Sequence, residues 1–170
     1  MALIVEDGSI VAGANTYVGI ATARAYADHR GLILSDDDEV VEGQLALAMD
    51  YLEALRSKYQ GSKTDTTTPQ ALQWPRTGVV IDGEDFGTNA IPQELKDAQC
   101  RLAVAQEEGI ILYPDETGKF IVREKTGPLE TEYSEKIVPT GLPKITSVDA
   151  LLEPLFKTTI GSYALSSVRI

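Results

Sequence analysis

The segment 91–109, IPQELKDAQCRLAVAQEEG, constrains the fold of this chain more than any other stretch. Leu95, Ala98, Leu102 and Ala105 recur at intervals of three and four, with Cys100 and Ala103 one step round. Lys96, Asp97, Arg101, Glu107 and Glu108 fall on other faces, so the pattern is that of an amphipathic helix. Pro92 suits a first helical position, where its missing N–H and fixed φ cost nothing. Glu94 and Asp97 then place negative charge near the positive end of the helix dipole, and Gly109 supplies a stop. Because alanines line the buried stripe, a partner helix can approach closely, which predicts a compact helical core built on this segment.

Partner helices are legible on both sides of it. Over residues 19–30, Ile20, Ala23, Tyr26 and Ala27 form a modest stripe that Gly31 would end. Residues 35–59 give the longest pattern, with Ser35 as N-cap and Asp36, Asp37, Asp38 and Glu39 filling the first turn. Val41, Leu45, Ala48, Leu52 and Leu55 form its stripe, joined at the margins by Met49 and Tyr59. Adjacent aspartates on a helix point in different directions and do not converge on one ion, so the acid run reads as capping and solvation rather than a metal site. Thr146 and Asp149 offer a capping box for a short last helix at 148–156, which Pro154 must end or kink. Ahead of the first helix, residues 2–6 read as a strand or extended arm, and 7–15 as a loop of small residues turning at Asp7-Gly8.

The intervening stretches are polar or break the helical period. Residues 61–68 form a polar loop, followed by Ala71-Leu72-Gln73-Trp74-Pro75-Arg76. Pro75 holds Trp74 out of the helical region, so the sole tryptophan sits at a bend. Trp74, Pro75 and Arg76 then read either as a structural anchor, with the ring plugging the core edge and Arg76 near solvent, or as an interface pair. Residues 79–89 read as a loop that turns at Asp82-Gly83. Residues 120–133 switch to a period of two, with the break at Gly127-Pro128, which would set Lys125 opposite Glu130 and Arg123 opposite Glu132. With few apolar residues beyond Ile121, Val122, Leu129 and Tyr133, such a hairpin cannot stand alone and is expected to project or to pair with another subunit. The tail, 157–170, carries Ile160, Tyr163, Leu165, Val168 and Ile170 with Lys157 and Arg169 and no acid, a composition suited to docking on something else. The expected architecture is mainly α with α+β character. About four helices form a bundle over residues 1–156 with a projecting β-hairpin at 120–134, and residues 157–170 form an extended C-terminal arm.

Bulk properties exclude several functions. At 170 residues the chain is one domain's worth, and a domain of that size buries roughly 70% of its unfolded surface. A single cysteine, Cys100, excludes an internal disulfide framework and a cysteine-rich zinc site. The first residues lack a basic leader, and no apolar run approaches the ~20 residues of a membrane span, so a soluble, untargeted chain is expected. With 26 acidic against 15 basic residues, the formal net charge of -11 disfavours affinity gained by neutralising phosphates. It suits a surface past which nucleic acid slides without sticking. The nearest basic–aromatic runs, 119–125 with Phe120 and 58–63 with Tyr59, are short and flanked by acids. No serine sits in a G-x-S-x-G elbow, the one histidine, His29, lies near a helix end, and Cys100 lies on the buried side of its helix. No phosphate-binding loop, dinucleotide fingerprint or metal-spaced His/Cys cluster appears, so neither an active site nor a cofactor is expected.

Six segments together resemble a known group: MALIVEDGSIVAGANTYVGIATARAYADHRG, MDYLEAL, ALQWPRTGV, IPQELKDAQCRLA, REKTGPLETEYS and VDALLEPL, in that order. They are similar to the head-to-tail adaptor, or head-completion, proteins of tailed bacteriophages, which are often labelled DnaT-like single-stranded-DNA-binding proteins. The resemblance runs to Leu155, with W-P-R and I-P-x-x-L-K-D-A-Q weighing most, and leaves the tail after Phe156 outside it. It implies a mainly helical protein that forms a homo-oligomeric ring, expected to be a dodecamer, under the capsid portal in the virion neck, after a time in the host cytoplasm during assembly. Such a ring extends the channel through which double-stranded DNA passes without specific binding, and it gives the tail or a head-closure (stopper) protein a landing surface. No membrane partner, cofactor or catalysis is implied. On this sequence, Arg123, Lys125, Glu130, Glu132 and Tyr133 of the hairpin would contact neighbouring subunits or the lumen. Ile160, Tyr163, Leu165, Val168, Arg169 and Ile170 would form the arm for the portal protein. The alternative is a DnaT-like single-stranded-DNA-binding accessory protein of replication or packaging.

Overall fold

The computed structural model describes residues 2–64, 69–113 and 142–157 in full, and 120–125 and 130–134 as backbone. In chain order the elements are α1 (Ile20–His29), α2 (Asp38–Ala54), β1 (Ser62–Lys63), β2 (Arg76–Thr77), β3 (Val80–Ile81), β4 (Glu84–Asp85), α3 (Gln93–Glu107), β5 (Phe120–Lys125), β6 (Glu130–Ser134) and α4 (Thr146–Leu152), closed by a 3-10 turn at Glu153–Leu155. Among the described residues, four helices and three two-stranded antiparallel pairs make a mixed α+β fold.

α3 lies at the centre and packs against α1, α2 and α4. It separates two apolar clusters. On one side Leu95, Ala98, Leu102 and Ala105 meet Ala48 and Leu52 of α2 and Val148 and Leu152 of α4. On the other, Cys100 and Ala103 meet Ala23 and Tyr26 of α1 and Val41 and Leu45 of α2. The small side chains at 98, 103 and 105 are fully buried, which is how three helices can share one central partner.

Glycine ends two of the helices in the same way. Gly31 (φ 63°) follows α1, with Gly31 N–H donating to Asp28 O and Leu32 N–H to Ala27 O. Gly109 (φ 90°) repeats the motif after α3 through Gly109 N–H to Gln106 O and Ile110 N–H to Ala105 O.

The N-termini depart from the sequence reading. Asp37, not Ser35, caps α2, its carboxylate accepting from Glu39 N–H at 2.9 Å, while the Ser35 hydroxyl accepts from Asp37 N–H at 3.1 Å. Arg24 explains the shift. Its guanidinium holds the carbonyls of Ser35 and Asp36 at 3.2 and 2.7 Å and the Asp38 carboxylate at 2.7 Å, which keeps 35–36 out of the helix. Pro92 is the cap of α3 rather than its first residue, and α4 begins at Thr146 with no side-chain cap, so the capping box does not form. α2 stops at Ala54, short of Tyr59.

The strands also differ from expectation. Residues 2–6 form no strand, only a single parallel bridge between Val5 and Thr16. The expected loop at 79–89 contains a hairpin, β3–β4, with Asp82 (φ 53°) and Gly83 (φ 85°) as its two turn residues. β1 pairs with β2, folding the start of the polar loop back on the exit from Trp74-Pro75. β5 and β6 pair as the charges predict, Lys125 with Glu130 and Arg123 with Glu132, with an irregularity between Ile121 and Arg123. Among the described elements these two strands pair only with each other. Among the described residues no helix is long and apolar enough to cross a membrane.

Candidate functional site

Trp74, Pro75 and Arg76 converge on the middle of the structure. The peptide between Trp74 and Pro75 is cis, and the indole, fully buried, meets Tyr59 and Phe86 edge-on at 5.8 and 6.3 Å between ring centroids. Trp74 N–H donates to the Tyr17 hydroxyl at 3.1 Å, and that hydroxyl donates to Glu53 Oε1 at 3.2 Å. Gln73 N–H reaches the same oxygen at 2.9 Å. Burial raises the pKa of Glu53, and the hydrogen bonds from Gln73 and Tyr17 pull it part of the way back. The Tyr17 phenol is pushed well up, first by burial and then by the Glu53 charge.

Arg76 is not near solvent, as the sequence suggested, but only 6% exposed. Its Nε donates to Gln60 O at 2.6 Å, Nη2 to Gly61 O at 2.8 Å, and Nη1 to the Gln73 carbonyl and side-chain oxygen, both at 3.3 Å. A guanidinium has five donors and no acceptor, so a cage of carbonyls can satisfy it without a carboxylate partner. Burial lowers its pKa. The carbonyls of Gln60 and Gly61 belong to the turn that carries β1, and Gly61 (φ 61°) lies so close to Thr77 that a Cβ would stand 2.1 Å from the Thr77 oxygen. Trp74 and Arg76 therefore face the interior of their own chain.

Glu6 and Gln99 are among the buried polar residues that escaped the sequence reading. Glu6 is fully buried, and its carboxylate accepts from three backbone amides: Gly8 and Ile10 at Oε1 (2.8 and 3.0 Å) and Val11 at Oε2 (2.9 Å). It folds the loop after it around one charge. Gln99, on α3, accepts from Tyr17 N–H at 3.0 Å and donates to the Thr16 hydroxyl at 2.8 Å and Leu45 O at 3.1 Å, so one amide ties α3, α2 and the N-terminal segment together. Its flanking residues, Ala98 and Cys100, both belong to the buried side of α3, and that was the available signal.

The surface carries two grooves beside α2. One, of about 840 Å³, lies between the end of α2 and α4 and is lined by Tyr51, Lys58, Lys144 and Phe156 together with Asp149 and Glu153. Tyr59, the aromatic neighbour of Lys58 in the sequence, is buried beneath Phe156 and offers no face to a base. Lys58 instead sits over Phe156, Nζ 5.8 Å from the ring centroid. The other groove, about 730 Å³, has Ala46, Met49 and Leu72 on its floor and Glu39, Asp50 and Glu53 around it. Elsewhere Leu47, Ile110, Ile111 and Tyr113 are exposed. Cys100 is buried, which pushes its thiol up to about 12 and keeps it protonated at neutral pH. Among the described residues no group of three or more His, Cys, Asp or Glu is placed to hold a metal ion.

The hairpin residues Arg123, Lys125, Glu130, Glu132 and Tyr133 lie on the paired strands β5 and β6. The arm residues Ile160, Tyr163, Leu165, Val168, Arg169 and Ile170, and the turn at Gly127-Pro128, lie outside the described residues.

The described residues thus define a mixed α+β body that keeps Trp74 and four tyrosines, Tyr17, Tyr26, Tyr51 and Tyr59, in its core. The chain belongs to the family described as "Putative DnaT-like ssDNA binding protein", which matches residues 1–170. The match therefore includes the tail that the segment resemblance left out. No curated protein and no solved structure matches the chain.

Proposed function

We propose that the chain is a structural adaptor, a subunit of a ring that sits between a phage portal and the tail or stopper protein and extends the DNA channel in the virion neck. The observation that carries this reading is the placement of the aromatic residues. Tyr17, Tyr26, Tyr51, Tyr59 and Trp74 are buried in the chain's own core, so they are withheld from the base stacking on which single-strand binders rely. The net charge of -11 adds repulsion from phosphate, as befits a lumen that DNA must pass without sticking. Among the described elements β5 and β6 pair only with each other, which supports a hairpin available to neighbouring subunits. On this reading the chain carries no catalytic or cofactor chemistry, and it joins the neck from the host cytoplasm. Deleting residues 157–170 tests the assignment of the arm. A folded, soluble protein that no longer captures the portal is expected, and loss of folding would show that the tail belongs to the core.

The family description favours a second reading, binding of single-stranded DNA, and says nothing of an adaptor. The groove that would serve it is the one with Lys58, Lys144 and Phe156, where two cations flank one half-buried ring. Fluorescence anisotropy of a labelled oligothymidylate at low salt separates the two. Binding that weakens with salt and is lost in the Lys58→Glu, Lys144→Glu double variant supports the second reading, whereas no binding at low salt supports the adaptor.

A further inference from the structure

The groove of about 730 Å³ on α2 combines apolar and acidic side chains. Its floor is apolar, Ala46, Met49 and Leu72, and its rim is acidic, with Glu39 and Asp50 exposed and Glu53 held by Tyr17 and Gln73. Among the described residues no basic side chain lines it. The complement is in the same sequence. Residues 158–170, TTIGSYALSSVRI, contain no acid, one cation at Arg169, and apolar side chains at Ile160, Tyr163, Leu165 and Val168.

The start of that segment is pinned near the groove. Lys157 N–H donates to Lys58 O at 2.8 Å and its Nζ to Ser57 O at 3.0 Å, both just beyond the C-terminal end of α2. From Glu53 back to Glu39 the acidic stripe runs about 21 Å at the rise of an α-helix. Thirteen extended residues reach roughly 43 Å, enough to round the helix end and follow the whole stripe. The other groove, nearer the start, carries Lys58 and Lys144 against Asp149 and Glu153, so it offers Arg169 no net attraction.

We propose that residues 158–170 dock in the α2 groove of their own chain, running antiparallel to α2 with Tyr163 and Leu165 over Ala46 and Met49 and Arg169 on the acidic rim. The segment is then a stowed arm in the free protein, whatever larger assembly it later joins, and the proposal stands apart from the adaptor reading.

Disulfide trapping in the full chain tests this. Gly43 lies on the exposed edge of the groove, and a Cβ built there meets nothing within 4 Å, so Gly43→Cys is tolerated; Ala46→Cys is the second choice at the same place. The native Cys100 is buried and does not compete. In dilute protein under a glutathione buffer, Gly43→Cys with Leu165→Cys is expected to close an intramolecular bond at least about tenfold faster than the control pair Ile33→Cys with Leu165→Cys, Ile33 being 79% exposed. Changing Glu39 and Asp50 to Lys should abolish that advantage, with native Trp74 emission reporting that each variant is folded. Equal rates for the two pairs, or an advantage that survives the charge reversal, would overturn the proposal. Disulfide-linked dimers in place of the intramolecular bond would overturn it too, placing the segment on a second copy.

Discussion

Replacing Glu6 by Gln should destabilise the protein by about 2–4 kcal/mol. The carboxylate is fully buried and accepts three backbone N–H groups at 2.8, 3.0 and 2.9 Å. Gln is nearly isosteric and keeps one oxygen, which can serve Gly8 and Ile10, but its NH₂ then opposes the Val11 N–H. One hydrogen bond to a charged group is lost, at about 1.5–3 kcal/mol, and a donor is left facing a donor. The two that survive fall to neutral strength, roughly half. Removing a buried charge returns part of this, which sets the lower bound. For a domain of this size 1 kcal/mol corresponds to about 2–4 °C, so the melting temperature should fall by roughly 10 °C. Urea titration followed by Trp74 emission measures the loss directly, because the only tryptophan passes from full burial to water on unfolding. A loss below about 0.5 kcal/mol would refute the reasoning, since it would mean that the three amides reach water when the carboxylate is gone.

Other residues give sharper contrasts. Arg76→Lys keeps the charge but cannot span the carbonyls of Gln60, Gly61 and Gln73, and should cost about 1–3 kcal/mol in the same titration; no change would show that the carbonyl cage does not depend on the fork geometry. Gly61→Ala should be far worse than Gly43→Ala, because position 61 has φ 61° and no room beside the Thr77 carbonyl, whereas position 43 is open helix where Ala gains about 0.5–1 kcal/mol. Glu53 has its folded pKa raised above the ordinary 4.5, so the folded state binds more protons than the unfolded one in that window. Its contribution to stability is full below about 4.5 and is lost as pH rises through the higher folded value; in Glu53→Gln this component of the pH profile should vanish, and an unchanged profile would contradict the assignment. Cys100, with its thiol pushed up to about 12, should resist a disulfide reagent at pH 8 in the native protein and react within minutes in urea; rapid native labelling would show that α1 and α3 part readily.

The helices were legible because a burial period of three to four is written into their sequences, and Gly31 and Gly109 mark their ends through the same left-handed turn. The hairpin register was legible because opposite charges sit at matched distances from the break, Lys125 with Glu130 and Arg123 with Glu132. What was not legible depended on contacts distant in sequence. Ser35 and Asp37 are equally good caps on local grounds, and Arg24 from another helix decides between them. Arg76 reads as a surface residue until the turn at 60–61 folds over it with its carbonyls. Glu6 reads as an ordinary surface acid, since nothing local announces that three later amides will wrap around it. The strand pairs β1–β2 and β3–β4 are two residues per strand, too short for any period, although Asp82-Gly83 marked the turn of the second.

The adaptor assignment is tested most directly by the mass of the species the chain forms, alone and mixed with its cognate portal, read by light scattering or native mass spectrometry. The assignment predicts a ring-sized species, or a monomer that becomes one only when the portal is present. A monomer or dimer that ignores the portal and instead shifts a single-stranded oligonucleotide at low salt would contradict it and leave the DNA-binding reading in its place.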